Sequence, residues 1–147
     1  MMSFKPSNEI IIKAEYTLSS NQNNKRHKHH IAANGEMLVS KQELHIYNYL
    51  LEQANLHVEY EASFRGSDKS LFPDFTVLNL ETNAFFIWEH LGMTNSDKYL
   101  DQIPNKLSWY ADNGLRSIEH GGNLILTFYN ERTFFDDIVE MVNKILL

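Results

Sequence analysis

The sequence predicts an α/β domain built on a central mixed β-sheet flanked by helices. Three observations carry this expectation. Between Leu56 and Leu91 three strand-like segments follow one another with short links, the pattern of a meander. Residues 123–129 form a nearly continuous apolar run, as in a strand covered on both faces. That run arrives after a helical segment, so it can join the sheet parallel to a neighbour. The order is helix, three strands, helix, strand, helix.

Residues 1–38 read as a leader. Within it, residues 8–18 carry Ile10-Ile11-Ile12 and then a partial alternation through Ala14, Tyr16 and Leu18, which predicts an added strand. Residues 19–30 are polar and end in Lys25-Arg26-His27-Lys28-His29-His30, a loop by composition. The body is predicted over 39–147. Ser40 is an N-cap, and Glu43 three residues on completes a capping-box pattern. Leu44, Tyr47, Leu50, Leu51 and Ala54 follow at helical spacing. Strands are predicted at 56–64, 71–80 and 84–91, with 65–70 a loop and Glu81-Thr82-Asn83 a turn. A second helix over 96–113 stops at Gly114, and Pro104 predicts a kink or break in it. Phe135, Ile138, Val139, Val142, Ile145 and Leu146 mark a final amphipathic helix.

Composition bounds the function. The 147 residues make one domain, and 43% hydrophobic content is enough for a core. No run reaches the length of a membrane span, and the N-terminus lacks the apolar stretch of a signal peptide. With no cysteine there is neither a disulfide framework nor a thiolate zinc site. A soluble cytoplasmic protein is the expectation. A net charge of −6 and a pI of 5.6 exclude a general electrostatic nucleic-acid binder. They leave room for an enzyme that grips nucleic acid locally.

Two apolar segments carry carboxylates: Phe72-Pro73-Asp74-Phe75-Thr76-Val77 and Phe85-Phe86-Ile87-Trp88-Glu89-His90-Leu91. With Glu81-Thr82 as the turn, Asp74 pairs with Glu89 on one side of the sheet. Two like charges there repel unless something offsets them, and a divalent cation does so. Glu43, one turn before Tyr47 on the sheet-facing stripe, extends toward the same rim. Three carboxylates without thiolates suit a hard cation, Mg²⁺ or Mn²⁺. Two of them also have a plainer reading, Glu43 as a cap and Asp74 as a turn residue after Pro73, whereas Glu89, at the end of an apolar strand, is harder to dismiss.

These segments resemble the PD-(D/E)XK nuclease superfamily, whose signature is Pro-Asp on one strand and Asp/Glu-x-Lys on the next. They look most like the nuclease-like domains associated with superfamily-one DNA helicases. The residues that carry the likeness are Ser40-Lys41-Gln42-Glu43, Tyr60-Glu61, Pro73-Asp74-Phe75-Thr76, Trp88-Glu89-His90-Leu91-Gly92-Met93, Tyr99, Lys106 and Trp109-Tyr110. The resemblance spans about Val39 to the C-terminus. It implies a restriction-endonuclease-like core and metal-dependent hydrolysis of DNA phosphodiesters. It equally admits a catalytically inactive DNA-binding or assembly module within a helicase-linked or defence complex. No Walker-type motif is present. One departure matters: Leu91 occupies the position of the expected lysine.

In that reading Asp74, Glu89 and Glu43 hold the metal, and Lys106 replaces the missing lysine through its long stem. Lys41 is a weaker substitute. Glu61 is either a supporting carboxylate or an exposed strand residue. His90 points away from Glu89 along a regular strand and reads as structural rather than as a general base. Tyr110 is a supporting residue, and Trp109 and Tyr110 at helical spacing read as partly core, with base stacking the alternative. Lys25, Arg26 and Lys28 form a local basic arm for phosphates or a plain solvated loop. His27, His29 and His30 lack a scaffold for zinc or nickel. DNA is the expected partner, a helicase or other complex partner is implied, no membrane is expected, and a homodimer is left open.

Overall fold

The computed structural model describes residues 28–92 and 97–147. The strand expected at 8–18, with Lys25, Arg26 and His27 of the basic arm, lies outside the described residues, as does the side chain of Tyr99. The elements are β1 (His30–Ile31), β2 (Met37–Leu38), α1 (Lys41–Leu51), β3 (Leu56–Tyr60), β4 (Phe64–Arg65), β5 (Ser70–Leu71), β6 (Phe75–Asn79), β7 (Phe85–Leu91), α2 (Asp97–Asp112), a 3₁₀ turn (Ile118–His120), β8 (Leu124–Phe128) and α3 (Phe134–Leu146). Among the described residues no helix is long and apolar enough to cross a membrane.

The sheet runs β3-β6-β7-β8. β3–β6 and β6–β7 are antiparallel, while β7–β8 is parallel. It is therefore a mixed four-stranded sheet with the β6–β7 hairpin at its centre. The register is the one the sequence predicts: Phe75 pairs with Trp88 and Leu78 with Phe85. Asn79 terminates the hairpin locally. Its Oδ1 accepts from Glu81 N at 2.9 Å and Thr82 N at 3.2 Å, and Asn83 takes φ 63°. Asparagine tolerates that left-handed conformation. The buried Asn79 Nδ2 donates to Ile145 O at 2.9 Å, which anchors α3 to the same corner.

The helices cover both faces. Tyr47 and Leu50 of α1 and Ile138 and Val142 of α3 pack with Phe75 and Trp88 on one face. Tyr110 of α2 packs with Ile87 and Leu124 on the other. Alternation along β7 divides its side chains accordingly, with Trp88 and Ile87 in opposite clusters.

Several boundaries differ from expectation. The first sheet strand ends at Tyr60 rather than at 64, because Glu61 adopts φ 56° and turns the chain. The second begins at Phe75 rather than 71. Ser70–Leu71 pairs instead with Phe64–Arg65 in a separate ribbon. That ribbon is held on α2: Trp109 Nε1 donates to Asp68 Oδ1 at 2.9 Å, and Ser67 N donates to Asn113 Oδ1 at 2.9 Å. α2 continues through Pro104 without a break. Pro104 is exposed, so water can serve the main-chain group it leaves unpaired. The compact body also starts before Val39, since Ala32 and Leu38 of the β1–β2 ribbon belong to the main core.

Candidate active site

β3 and β7 end, and β6 begins, at one edge of the sheet, and the acidic residues gather there. Asp74 immediately precedes β6. Extending the observed register by one residue sets it opposite Glu89. The next rung would join Pro73 to His90, but Pro73 has no N–H to give. The Asp74 side chain intervenes: its Oδ2 accepts the main-chain N–H of His90 at 2.7 Å. Its main-chain oxygen accepts from Glu61 N at 2.9 Å. Asp74 thus ties β6 to both neighbours.

Glu89 is 4% exposed and points to the α2 face. Tyr110 donates its hydroxyl to Glu89 Oε2 at 2.6 Å, and Lys106 Nζ lies 3.6 Å from Oε1. Lys106 is on α2 one turn before Tyr110, so the two residues reach the same carboxylate. Glu43 comes from the first turn of α1. Ser40 Oγ accepts from Glu43 N at 3.1 Å, which makes the predicted cap. The glutamate side chain does not close the capping box. Glu43 Oε1 accepts from Tyr60 OH at 2.6 Å, and its carboxyl shares a cleft with that of Asp74.

Asp74, Glu89, Glu43 and Lys106 line one cleft of about 340 Å³, together with Gln42, His90 and Gly92. Burial, followed by the charges of Glu89 and Glu43, holds the Asp74 carboxyl well above the usual carboxylate range. Glu43 and Glu89 are also raised, chiefly by burial; Lys106 and the Tyr110 hydroxyl draw Glu89 back down. Burial and the neighbouring carboxylates push the Tyr60 and Tyr110 hydroxyls far up, so both remain donors. His90 is driven down to about 4 by burial. The cleft thus gathers three carboxyl groups whose charged forms Lys106 alone does not offset. A hard divalent cation fits that donor set of carboxylate oxygens. Among the described residues, no group of three His, Asp or Glu side chains is already arranged to hold an ion.

The remaining candidates fall elsewhere. Glu61 lies just past β3, not on it, and pairs with Lys28 Nζ at 2.8 Å. Neither is freely exposed: their side chains are 14% and 12% exposed. Lys28 also lies 5.3 Å from the centroid of the Tyr60 ring. It is an internal ion-pair partner rather than part of a solvated basic arm. Lys41 is exposed at the start of α1, outside the residues lining the cleft. His29 is exposed, and His30 lies in β1. Leu91 is 3% exposed, so the position of the expected lysine is packed in the interior. His90 has the structural placement expected of it, bonded to Gln42 and Thr127. Trp109 is partly buried and Tyr110 fully buried, as their helical spacing predicts.

Gln42 and Thr127 were not singled out by residue pattern. The one available signal for Thr127 is a hydroxyl inside the apolar run 123–129. Gln42 offers none beyond its place beside Glu43. No protein-family model matches the chain, and no curated protein matches it either.

Proposed function

We propose that this protein is a metal-dependent nuclease with a restriction-endonuclease-like core, hydrolysing phosphodiester bonds of DNA. The observation that supports this reading most is the meeting of Asp74, Glu89 and Glu43 with Lys106 in one cleft at the sheet edge. The strand order and the Pro-Asp and Trp-Glu-His-Leu-Gly-Met strings are consistent with it. Asp74, Glu89 and Glu43 would hold Mg²⁺ or Mn²⁺. When bound, such a cation polarises phosphate oxygens and lowers the pKa of water at neutral pH.

The chain's own groups do the positioning. Tyr110 fixes the orientation of Glu89, Tyr60 that of Glu43, and the His90 main-chain N–H that of Asp74. The Lys106 ammonium, 40% exposed at the cleft, is placed to offset charge that builds on a phosphate as the bond to its leaving oxygen breaks. Lys106 takes this role because Leu91 cannot.

A second reading rests on the same departure. With Leu91 in the lysine position and each carboxylate already bonded to a neighbour, the fold serves equally as a non-cleaving DNA-binding or assembly module in a larger complex. Supercoiled plasmid separates the two. Incubation with Mg²⁺ or Mn²⁺ should yield nicked, linear or degraded DNA, and EDTA or Asp74→Ala should abolish the products. Intact plasmid beside retained DNA binding would select the non-cleaving module.

A further inference from the structure

The His90 ring belongs to a chain of hydrogen bonds whose direction can be assigned. Trp88 Nε1–H is only a donor, and it lies 2.9 Å from Thr127 Oγ1. The Thr127 hydroxyl is then free to give its own proton to His90 Nδ1, 2.8 Å away. A neutral imidazole accepting at Nδ1 carries its proton on Nε2. Nε2 lies 2.7 Å from Gln42 Oε1, an acceptor. The donors therefore run one way, from Trp88 through Thr127 and His90 to Gln42. The acceptor at the end of the chain fixes the assignment: facing Gln42 Oε1, Nε2 must carry the proton, so Nδ1 accepts and Thr127 donates.

The chain ends beside Glu43. Gln42 and Glu43 are consecutive in the first turn of α1, and they reach different strands. Gln42 bonds to His90 on β7, and Glu43 bonds to Tyr60 on β3. In the sheet order β3-β6-β7-β8, the strand between those two anchors is β6, which begins next to Asp74. The first turn of α1 thus bridges Asp74 with one foot on either side. Gly92 leaves room for this. A Cβ there would lie 2.7 Å from Gln42 Oε1, closer than real contacts allow.

We propose that Gln42, His90 and Thr127 are positioning residues: a latch that holds the first turn of α1 down, so that Glu43 is set against Asp74. Its catalytic consequence rests on the nuclease reading, whereas the placement of Glu43 does not. His90 acts through its ring on α1 and through its main-chain N–H on Asp74, so one residue orients two of the three acids.

Gly92→Ala is the sharpest test, because it removes no polar group of the chain. The new methyl meets the far end of a flexible side chain, which can swing away at little cost to folding. In the full chain, histidine ring nitrogens should be followed by long-range ¹H–¹⁵N NMR, and the main-chain amides of the first turn of α1 by hydrogen exchange. The wild type should show His90 protonated at Nε2. In Gly92→Ala, and in Gln42→Ala as the second variant, that proton should exchange faster. The N–H groups of Glu43 and Leu44, bonded to Ser40, should also lose protection as the turn lifts. A wild-type His90 protonated at Nδ1, or unchanged protection of those amides in both variants, would overturn the latch. If the wild type cleaves DNA, Gly92→Ala should lower kcat roughly tenfold at unchanged KM; equal kcat with the latch open would overturn its positioning role. These spectra need no nucleic acid, so absent cleavage by the wild type counts against the nuclease reading alone.

Discussion

Asp74 takes the main-chain N–H of His90 with its side chain, at 2.7 Å, in the place where a sheet ordinarily uses a carbonyl. The ladder between β6 and β7 therefore continues through a carboxylate. This leaves Asp74 half-buried, hydrogen-bonded and next to two further acids, an arrangement that stability alone would not favour.

If a cation answers that excess charge, Asp74→Ala should abolish it. Isothermal titration with Mn²⁺ should give a clear binding signal for the wild type and none for the variant. Unchanged affinity in Asp74→Ala would place the ion elsewhere.

Lys106→Ala should keep the fold, since the side chain is 40% exposed and packs little. Its cleavage rate should fall on the order of a hundredfold, the usual scale for losing a positioned charge at a reacting phosphate. Lys106→Arg should rescue poorly, because a guanidinium is broader and less compact. His90→Ala removes the latch and should lower the rate about tenfold, less than Lys106→Ala, while also lowering stability. Near-normal cleavage by Lys106→Ala, beside total loss in a well-folded His90→Ala, would transfer the catalytic role to His90.

His90 also sets a pH dependence. Its folded pKa, about 4, lies below the ordinary 6.5, so on acidification the unfolded chain takes the proton first. Stability from this group is complete above about pH 6.5 and is lost as pH falls toward 4. At pH 5 the loss is ~2 kcal/mol. The raised carboxyls of Asp74, Glu43 and Glu89 act oppositely, because their charge penalty is relieved as pH falls. Urea unfolding at pH 7 and pH 5 should therefore compare the wild type with His90→Gln, which removes only the histidine's contribution. Equal pH slopes in the two proteins would mean that His90 titrates normally.

Gly66→Ala tests the ribbon. A Cβ at Gly66 would lie 2.2 Å from the Trp109 ring, which must move. Overpacking of this kind costs about 1–3 kcal/mol. Trp109 emission should shift to the red as the ribbon lifts from α2, whereas Trp88, fully buried, should not respond. Unaltered stability and emission would show that the contact is loose.

Much of the sheet was legible in the sequence because its signals are local. The spacing of Asp74 and Glu89 about Glu81-Thr82 sets the hairpin register, and the burial of Glu89 follows from its apolar strand. The apolar run 123–129 likewise announces a covered strand. What escaped depends on partners distant in the chain. β4 and β5 have two residues each, too few for any periodicity, and they are held by Trp109 some forty residues later. Lys28 sits in a basic run, yet the turn at Glu61 captures it. The cap at Ser40 was readable. The choice of Tyr60 by the Glu43 side chain was not, because it needs the packed geometry of α1 on β3.

The parallel pairing of β7 with β8 has a consequence for the order of synthesis. The β6–β7 hairpin closes over the short loop 80–84 and can form early. β8 must wait until α2 and the 3₁₀ turn have been made. A nascent chain that stops before Leu124 already contains Glu43, Asp74, Glu89 and Lys106, but not Thr127. Until translation passes that hydroxyl, the Nδ1 of His90 lacks its donor. The acids are thus synthesised well before the strand that orients the ring between them, and the site becomes complete only once β8 has been made.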